Sequence, residues 1–344
     1  MSKDSEYMLE ALALARLGWG MTNPNPMVGA VIVKNDEIIG RGFHLKAGEP
    51  HAEVNALSDV ARHGKSAENA TLYVTLEPCS SYGRTPPCTE AIIAAKISKV
   101  VIGALDPNPK HAGKAVEILE NAGIEVVCGV ENLSCCDLNR RFFRWITCGK
   151  PYVLLKMAMT LDGKIATSNG DSRWVTGPEA RRRVQQLRRL SDAIMIGGNT
   201  LRNDHPQLTV REPEEWERQP LRIVVSSSIN EDDLLDYFPD GRAEVVDLPD
   251  KEAWENHLIS LGERNITMLL IEGGGALAQA ALDAGVVDAV EFHIAPKLLG
   301  GRESIPVLGG KNPLSMSEAL NLHRVSVTRY GEDIAVCGFL HQES

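Results

Sequence analysis

The sequence predicts two α/β domains in tandem, on three observations. A chain of 344 residues is long enough for two compact cores, and 43% hydrophobic with 24% charged residues is the balance of an ordinary globular protein. Apolar runs of strand character alternate along it with runs of helical period. The alternation breaks once, between residues 138 and 150, and then resumes.

In order, an amphipathic stretch from Met8 to Leu17 precedes the strand-like Val28-Gly-Ala-Val-Ile-Val33. Ala52 to Arg62 has helical period, Thr71-Leu-Tyr-Val-Thr-Leu76 reads as a strand, and Thr89 to Lys96 as a helix. Lys99-Val-Val-Ile-Gly103 is the next strand and Ala115 to Ala122 the next helix, an order that predicts a largely parallel sheet. The Arg- and aromatic-rich Arg140-Arg-Phe-Phe-Arg-Trp145, followed by Gly149-Lys-Pro151, marks a boundary: one domain over 1–148, another over 149–344. Beyond it, Tyr152 to Lys156, Ala193 to Gly197, Leu221 to Val225, Thr267 to Ile271 and Val287 to Ile294 are strand-like, and the tail reads as a hairpin.

Composition narrows the function. No apolar run reaches the roughly 20 residues of a membrane helix, and Met1-Ser-Lys-Asp-Ser-Glu-Tyr7 has no apolar signal region, so no membrane partner and a cytoplasmic location are expected. Seven cysteines, an odd number in a long chain, read as reduced thiols, some of them metal ligands. A formal net charge of −10 opposes a nucleic-acid partner, which selects for a basic face. The expected partner is a small-molecule substrate, bound by a homo-oligomer.

His51-Ala-Glu53 opens a helix, Glu77-Pro-Cys79 follows a strand, and Cys88 opens the next helix. His51, Cys79 and Cys88 make the three-ligand set of a catalytic zinc, which keeps a fourth position for water and lowers that water's pKa to about 7. Glu53 is placed to reach that water without ligating the metal, moving its proton to a departing amino group. Helix-start cysteines gain thiolate character from backbone N–H groups. An isolated His-x-Glu is more often a helix cap with a solvated carboxylate; the added Pro-Cys and Cys88 turn the reading toward zinc. One departure is the spacing: the general deaminase signature has Cys-x-x-Cys, and here eight residues separate the cysteines.

Asn25-Pro-Met-Val-Gly-Ala30, His51-Ala-Glu53, the run Leu76-Glu-Pro-Cys-Ser-Ser-Tyr-Gly-Arg-Thr-Pro-Pro-Cys88 and Asp106-Pro-Asn-Pro109 together resemble the bifunctional riboflavin-biosynthesis deaminase/reductase family. The resemblance covers nearly the whole chain. It implies a cytidine-deaminase-like α/β/α domain followed by a dihydrofolate-reductase-like α/β domain, with zinc and NADPH as cofactors. It assigns Asn25, His44 and Arg84 to the substrate of the first. Ser81 stands where the family commonly has histidine.

In the second half the resemblance rests on Lys156-Met-Ala-Met-Thr-Leu-Asp-Gly-Lys-Ile165, Ser172-Arg-Trp-Val-Thr176, the segment Gly197 to Arg211, and Glu272-Gly-Gly-Gly275. It implies that Ser172, Arg188, Leu208, Arg211 and Glu272 meet the substrate, with the arginines at its phosphate. Ala158, Trp174, Thr200, Asp204 and Ser227 would meet NADPH, although Ser226 stands where the family often has aspartate before that serine. Lys156 and Asp204 are the catalytic candidates; by its residue type alone, Lys156 at a strand edge could equally be decoration. From the residues themselves, Gly274, Gly275 and Ala276 open a helix after an apolar strand, where small side chains let backbone N–H groups approach phosphates or simply let a helix pack closely. Gly273, Gly275 and Ala278 satisfy G-x-G-x-x-A with Glu291 near the acidic position, but several strands precede this one, against a standard Rossmann domain. In the basic run Arg181 to Arg189 helical spacing turns at most one or two arginines into a site; the others form a solvated face.

The reading is therefore a zinc-dependent deaminase joined to an NADPH-dependent reductase, acting in turn on a pyrimidine ribosyl phosphate. Two alternatives differ in kind: a nucleoside or tRNA-base deaminase fused to an unrelated domain, against which the acidic charge and the long cysteine spacing stand, and a binding protein with structural zinc, for which a fourth ligand is missing beside the motif.

Overall fold

A computed structural model describes residues 2–82, 86–108, 111–311 and 313–341. The chain divides into two compact units, Met1–Gly149 and Lys150–Ser344. Among the described residues no helix is long and apolar enough to cross a membrane.

The first unit runs α1 (Lys3–Ala15), β1 (Gly29–Lys34), β2 (Glu37–Phe43), α2 (Ala52–Arg62), β3 (Thr71–Leu76), α3 (Cys88–Ala94), β4 (Lys99–Ala104), α4 (Lys114–Asn121), β5 (Glu125–Cys128), α5 (Asn132–Leu138) and α6 (Arg140–Cys148). Its sheet has the order β2-β1-β3-β4-β5. β3, β4 and β5 are parallel, but β1 is antiparallel to both β2 and β3. The sheet is thus mixed, not largely parallel. Asn35 and Asp36 take φ of 54° and 61°, the left-handed conformation that both central residues of a tight hairpin need. The chain therefore turns straight back into β2, a strand the apolar pattern alone did not reveal.

Alternation along β1 sends Val31 and Val33 to one face, against Met8 and Leu12 of α1 and Cys135 of α5. Ala30 and Ile32 face the other way, toward Ala52, Ala56 and Val60 of α2, Ile92 of α3 and Leu119 of α4. Helices thus cover both faces. α2 comes close to β2 at Gly42, where a Cβ would lie 2.3 Å from the Ala52 carbonyl oxygen and 2.3 Å from the Ala56 nitrogen. That absent side chain seats the start of α2, and with it His51 and Glu53.

The second unit runs β6 (Tyr152–Thr160), β7 (Lys164–Ala166), α7 (Pro178–Leu190), β8 (Ala193–Gly197), α8 (Gly198–Asp204), β9 (Leu221–Val225), α9 (Glu231–Tyr237), β10 (Ala243–Val246), α10 (Lys251–Glu263), β11 (Met268–Ile271), α11 (Gly275–Asp283), β12 (Ala289–Ala295), β13 (Ile305–Pro306), β14 (His323–Tyr330) and β15 (Asp333–Phe339). Eight strands form one sheet, β10-β9-β8-β11-β6-β12-β15-β14. The first six are parallel; the tail closes the edge as an antiparallel hairpin. One face packs Leu154, Ile194 and Leu270 under Leu187 of α7 and Leu201 of α8. The other packs Val153, Leu155 and Val290 against Trp254 and Leu258 of α10 and Ala278 and Ala281 of α11.

Candidate active sites

In the first unit His51 is the residue before α2, in extended conformation, and its ring makes no cap hydrogen bond. Nδ1 instead lies 3.5 Å from the Cys79 sulfur and 3.3 Å from the Cys88 sulfur. Cys79 follows β3; Cys88 starts α3, and its backbone N–H donates to the Cys79 sulfur at 3.2 Å. The three donor atoms lie within 4.8 Å of one another, and among the described residues no other group of three or more His, Cys, Asp or Glu does so. Hydrogen bonds from the Cys88 thiol and from His51 hold the Cys79 thiol down to about 4, while bonding to Cys79 and burial push the Cys88 thiol up. Two sulfurs this close both carry charge only with a cation between them, so the donor set fits a soft divalent metal.

Glu53 is 3% exposed. Burial pushes its carboxyl up to about 7. It opens with His51 and Cys79 onto a cavity of about 200 Å³, lined also by Asn25, His44, Glu77, Asp106 and Phe142. Asn25 Nδ2 donates to His44 Nε2 at 3.1 Å, which leaves the ring's other nitrogen to donate to the Pro50 carbonyl at 3.2 Å. Burial lowers the pKa of His44, favouring this neutral ring. Arg84 lies outside the described residues, and Ser81 is exposed and does not line the cavity.

Two residues around this cavity carried no role in the sequence reading. Glu77 accepts backbone N–H groups of Asp106, Gly113 and Ala115 at 3.1, 3.0 and 3.0 Å, fixing the segment after β4. Asn139 accepts from Met27 N–H and donates to Met27 C=O, both at 2.8 Å, and so holds the loop that presents Asn25. Glu77 was visible in the motif as a carboxylate beside proline; Asn139 is 112 residues from its partner and left no local signal.

In the second unit a cavity of about 510 Å³ opens at the carboxyl ends of β8 and β11 beside β6, the usual ligand position of an open α/β sheet. Lys156, Ala158, Ser172, Trp174, Arg188, Thr200, Asp204, Leu208, Arg211, Glu272, Gly274, Gly275 and Ala276 all line it. Ser227 does not: it is exposed on the loop after β9. Ser172 Oγ donates to Asp204 at 3.0 Å, and Arg173 reaches the Asp204 carbonyl. Arg188 grips Glu272 with two hydrogen bonds of 2.8 Å. Burial alone would raise the Glu272 carboxyl, but Arg188 outweighs it and holds it below the usual range. Lys156 is 9% exposed, and burial lowers its pKa.

Of the basic run, Arg181 and Arg188 line the cavity, the first with its guanidinium 4.5 Å over the Trp174 ring. Arg182 pairs with Glu179 at the surface, and Arg183 turns inward to Glu291. Gly275 serves packing: a Cβ there would lie 2.6 Å from the Pro306 carbonyl oxygen. Glu291 and His293 are buried in β12 and do not line the cavity. Their signal was two titratable residues at period 2 inside an apolar strand.

Two family models match the chain in order: "Cytidine and deoxycytidylate deaminase zinc-binding region" over residues 1–104, and "RibD C-terminal domain" over residues 151–336. The chain is 44% identical to the riboflavin biosynthesis protein RibD of Actinobacillus pleuropneumoniae, over 96% of this chain and 94% of that protein. It is 42% identical to RibD of Aquifex aeolicus (strain VF5), over 97% of each. Among solved structures it is similar to Acinetobacter baumannii RibD, with a TM-score of 0.87 and 37% identity over 99% of each chain. It is also similar to a diaminohydroxyphosphoribosylaminopyrimidine deaminase/5-amino-6-(5-phosphoribosylamino)uracil reductase from Thermotoga maritima, with a TM-score of 0.85 and 35% identity over 98% of each chain. Both folds expected from the sequence, deaminase-like and then dihydrofolate-reductase-like, are therefore present, and this chain belongs to the RibD family of bifunctional riboflavin-biosynthesis deaminases/reductases.

Proposed function

We propose that the chain performs two successive steps of riboflavin synthesis, deamination in its first unit and reduction in its second. The first hydrolyses the 2-amino group of 2,5-diamino-6-(5-phosphoribosylamino)pyrimidin-4-one, replacing it with oxygen from water and releasing ammonia. The second reduces the ring-opened ribosyl group, whose C1 is then an imine carbon on the retained nitrogen, to a ribityl chain, giving 5-amino-6-(5-phosphoribitylamino)uracil. The observation that carries this reading is the convergence of His51 Nδ1, Cys79 Sγ and Cys88 Sγ within 4.8 Å beside a buried Glu53.

These three residues would hold zinc, which in such a three-ligand site lowers the pKa of water at its open position to about 7. Glu53, shielded from solvent, takes a proton from the attacking water and returns it to the departing amino group. Asn25 and the neutral His44 orient the pyrimidine, with Arg84 at the phosphoribosyl group. In the second unit NADPH supplies hydride when bound, against Ala158, Trp174, Thr200, Asp204 and the turn Gly274-Gly275-Ala276. Ser172, Leu208, Arg188, Arg211 and Glu272 hold the substrate, the arginines at its phosphate. Lys156 Nζ delivers a proton to the ribose ring oxygen as its bond to C1 breaks, and C1, held to nitrogen as an imine, is the carbon that is reduced.

The test is direct. Wild-type protein should carry about one zinc per chain and release ammonia from the diaminopyrimidinone phosphate with or without NADPH, whereas Cys79→Ser should lose both. Full zinc in the mutant would remove the ligand assignment.

A cytoplasmic homo-oligomer belongs to the same proposal. All seven cysteines are free thiols, suited to a reducing compartment. The edge strand β14 exposes Val325 and Val327, an apolar edge suited to cover by a second copy.

A further inference from the structure

Behind the wall of the second cavity lies a charge cluster that the two reactions leave unused. Glu291 of β12 is 3% exposed, and Arg183 of α7 holds it through two hydrogen bonds of 3.0 Å. The fully buried His293 donates its Nε2 proton to the same carboxylate at 2.9 Å. Its Nδ1 is buried with no partner, the arrangement of a neutral ring. Burial alone would raise the Glu291 carboxyl, but His293 and Arg183 outweigh it and hold it near about 2. Glu291 is therefore an anion at any pH the enzyme meets.

Glu291 is the ladder neighbour of Lys156 between β12 and β6. Side chains of such neighbours share a face of the sheet, here the face under α7. On the other flank of Lys156 stands Glu272, gripped by Arg188 in the same two-bond manner. One buried lysine thus lies between two carboxylates, each neutralised by its own arginine. The two flanks differ in one respect: Glu272 and Arg188 line the cavity, whereas Glu291 and Arg183 do not. Cys337 of β15 faces Glu291 across the ladder, with its thiol pushed up to about 12 by burial, and Tyr330 packs on the His293 ring with its phenol also raised. Neither adds charge near neutral pH.

We propose that Glu291, clamped by Arg183 and His293, is a positioning residue for the reduction, the fixed counter-charge that keeps the Lys156 ammonium protonated while ligands engage Glu272 and Arg188. The inference rests on the reading of Lys156 as the proton donor. Burial and Arg188 work against its charge, and Glu272 and Glu291 work for it. Once Arg188 and Glu272 turn to a substrate, Glu291 is the part of that support which does not change.

The experiment follows NADPH oxidation with the deaminated intermediate as a function of pH. Its alkaline limb in kcat reports loss of the Lys156 proton. Glu291→Gln should move that limb down by about one pH unit, with KM changed by less than about threefold, since Glu291 does not line the cavity. Arg183→Gln, which leaves Glu291 unneutralised, should move the limb up. Glu291→Asp should restore part of the wild-type profile. A packing role would move both charge variants the same way. If Glu291→Gln does not fold, Glu291→Gln/Arg183→Met, which leaves no unpaired charge, should still move the limb down, by less than Glu291→Gln would because loss of Arg183 offsets part of the change. Lys156→Met separates the two ideas: an unchanged rate and limb there would end the reading of Lys156. A loss of about 10²-fold or more there, with the limbs of Glu291→Gln and Arg183→Gln unmoved or moved together, would end this inference alone.

Discussion

Glu53 shows how a residue type becomes a chemical tool through its surroundings. Two positions after His51 on α2, it is carried into the cavity by the first turn of the helix, and burial lifts its carboxyl to about 7. Replacing one oxygen by nitrogen in Glu53→Gln preserves shape and leaves the three metal donors untouched. The expected outcome is full zinc content with ammonia release cut by about 10²-fold or more, measured by metal analysis alongside an ammonia assay. Turnover within about threefold of wild type would contradict the proton-transfer role. At the same scale, Arg188 holds the buried Glu272 with two N–H groups and the Thr209 carbonyl with a third, so the proposed substrate phosphate would share this guanidinium with the carboxylate. Such a planar, permanently charged donor can share its N–H groups between two acceptors.

At the scale of elements, the metal donors are assembled by a close helix-to-strand approach that depends on a missing side chain. Because a Cβ at Gly42 would fall 2.3 Å from backbone atoms of α2, the helix must shift outward in Gly42→Ala. The backbone atoms offer no rotamer that relieves the clash. Overpacking of this kind costs about 1–3 kcal/mol, and the displacement also carries His51 away from the two sulfurs. Urea unfolding should show that loss in stability together with weaker zinc retention under a chelator. A change below about 0.5 kcal/mol with normal zinc would mean that α2 is not seated by this contact.

For the whole molecule, the two candidate sites lie in different compact units and share no residue. Asp204→Asn should leave zinc and ammonia release intact while stopping NADPH oxidation, so that the deaminated ribosyl compound accumulates. Cys79→Ser should oxidise no NADPH from the diamino substrate and should do so normally from the deaminated one. Any allosteric coupling would be on the order of 1–3 kcal/mol, a modest change in rate against the complete block each mutant places on its own step. Product chromatography with NADPH absorbance on both mutants measures this. Failure of folded Cys79→Ser to oxidise NADPH with the deaminated compound would show that the halves work as one site.

Features that depend on neighbours along the chain were legible in the sequence. Strand and helix period, the His51-Ala-Glu53 turn and the cysteines after β3 and at the start of α3 are local, because one turn of helix or one strand end fixes which residues can face a common point. The change of composition between residues 138 and 150, on which the expected boundary after residue 148 rests, is local in the same sense. Tertiary structure decided what distance in sequence hides. The hairpin at Asn35 and Asp36 made the first sheet mixed, since two left-handed residues reverse a chain whose apolar pattern continues unchanged. Asn139 meets Met27 across 112 residues, and Glu291 meets Arg183 across 108. In the sequence Glu291 stood only near the acidic position of a fingerprint that the strand order opposes; a buried charge is stable only through partners, and those partners come from α7 and from the strands beside it.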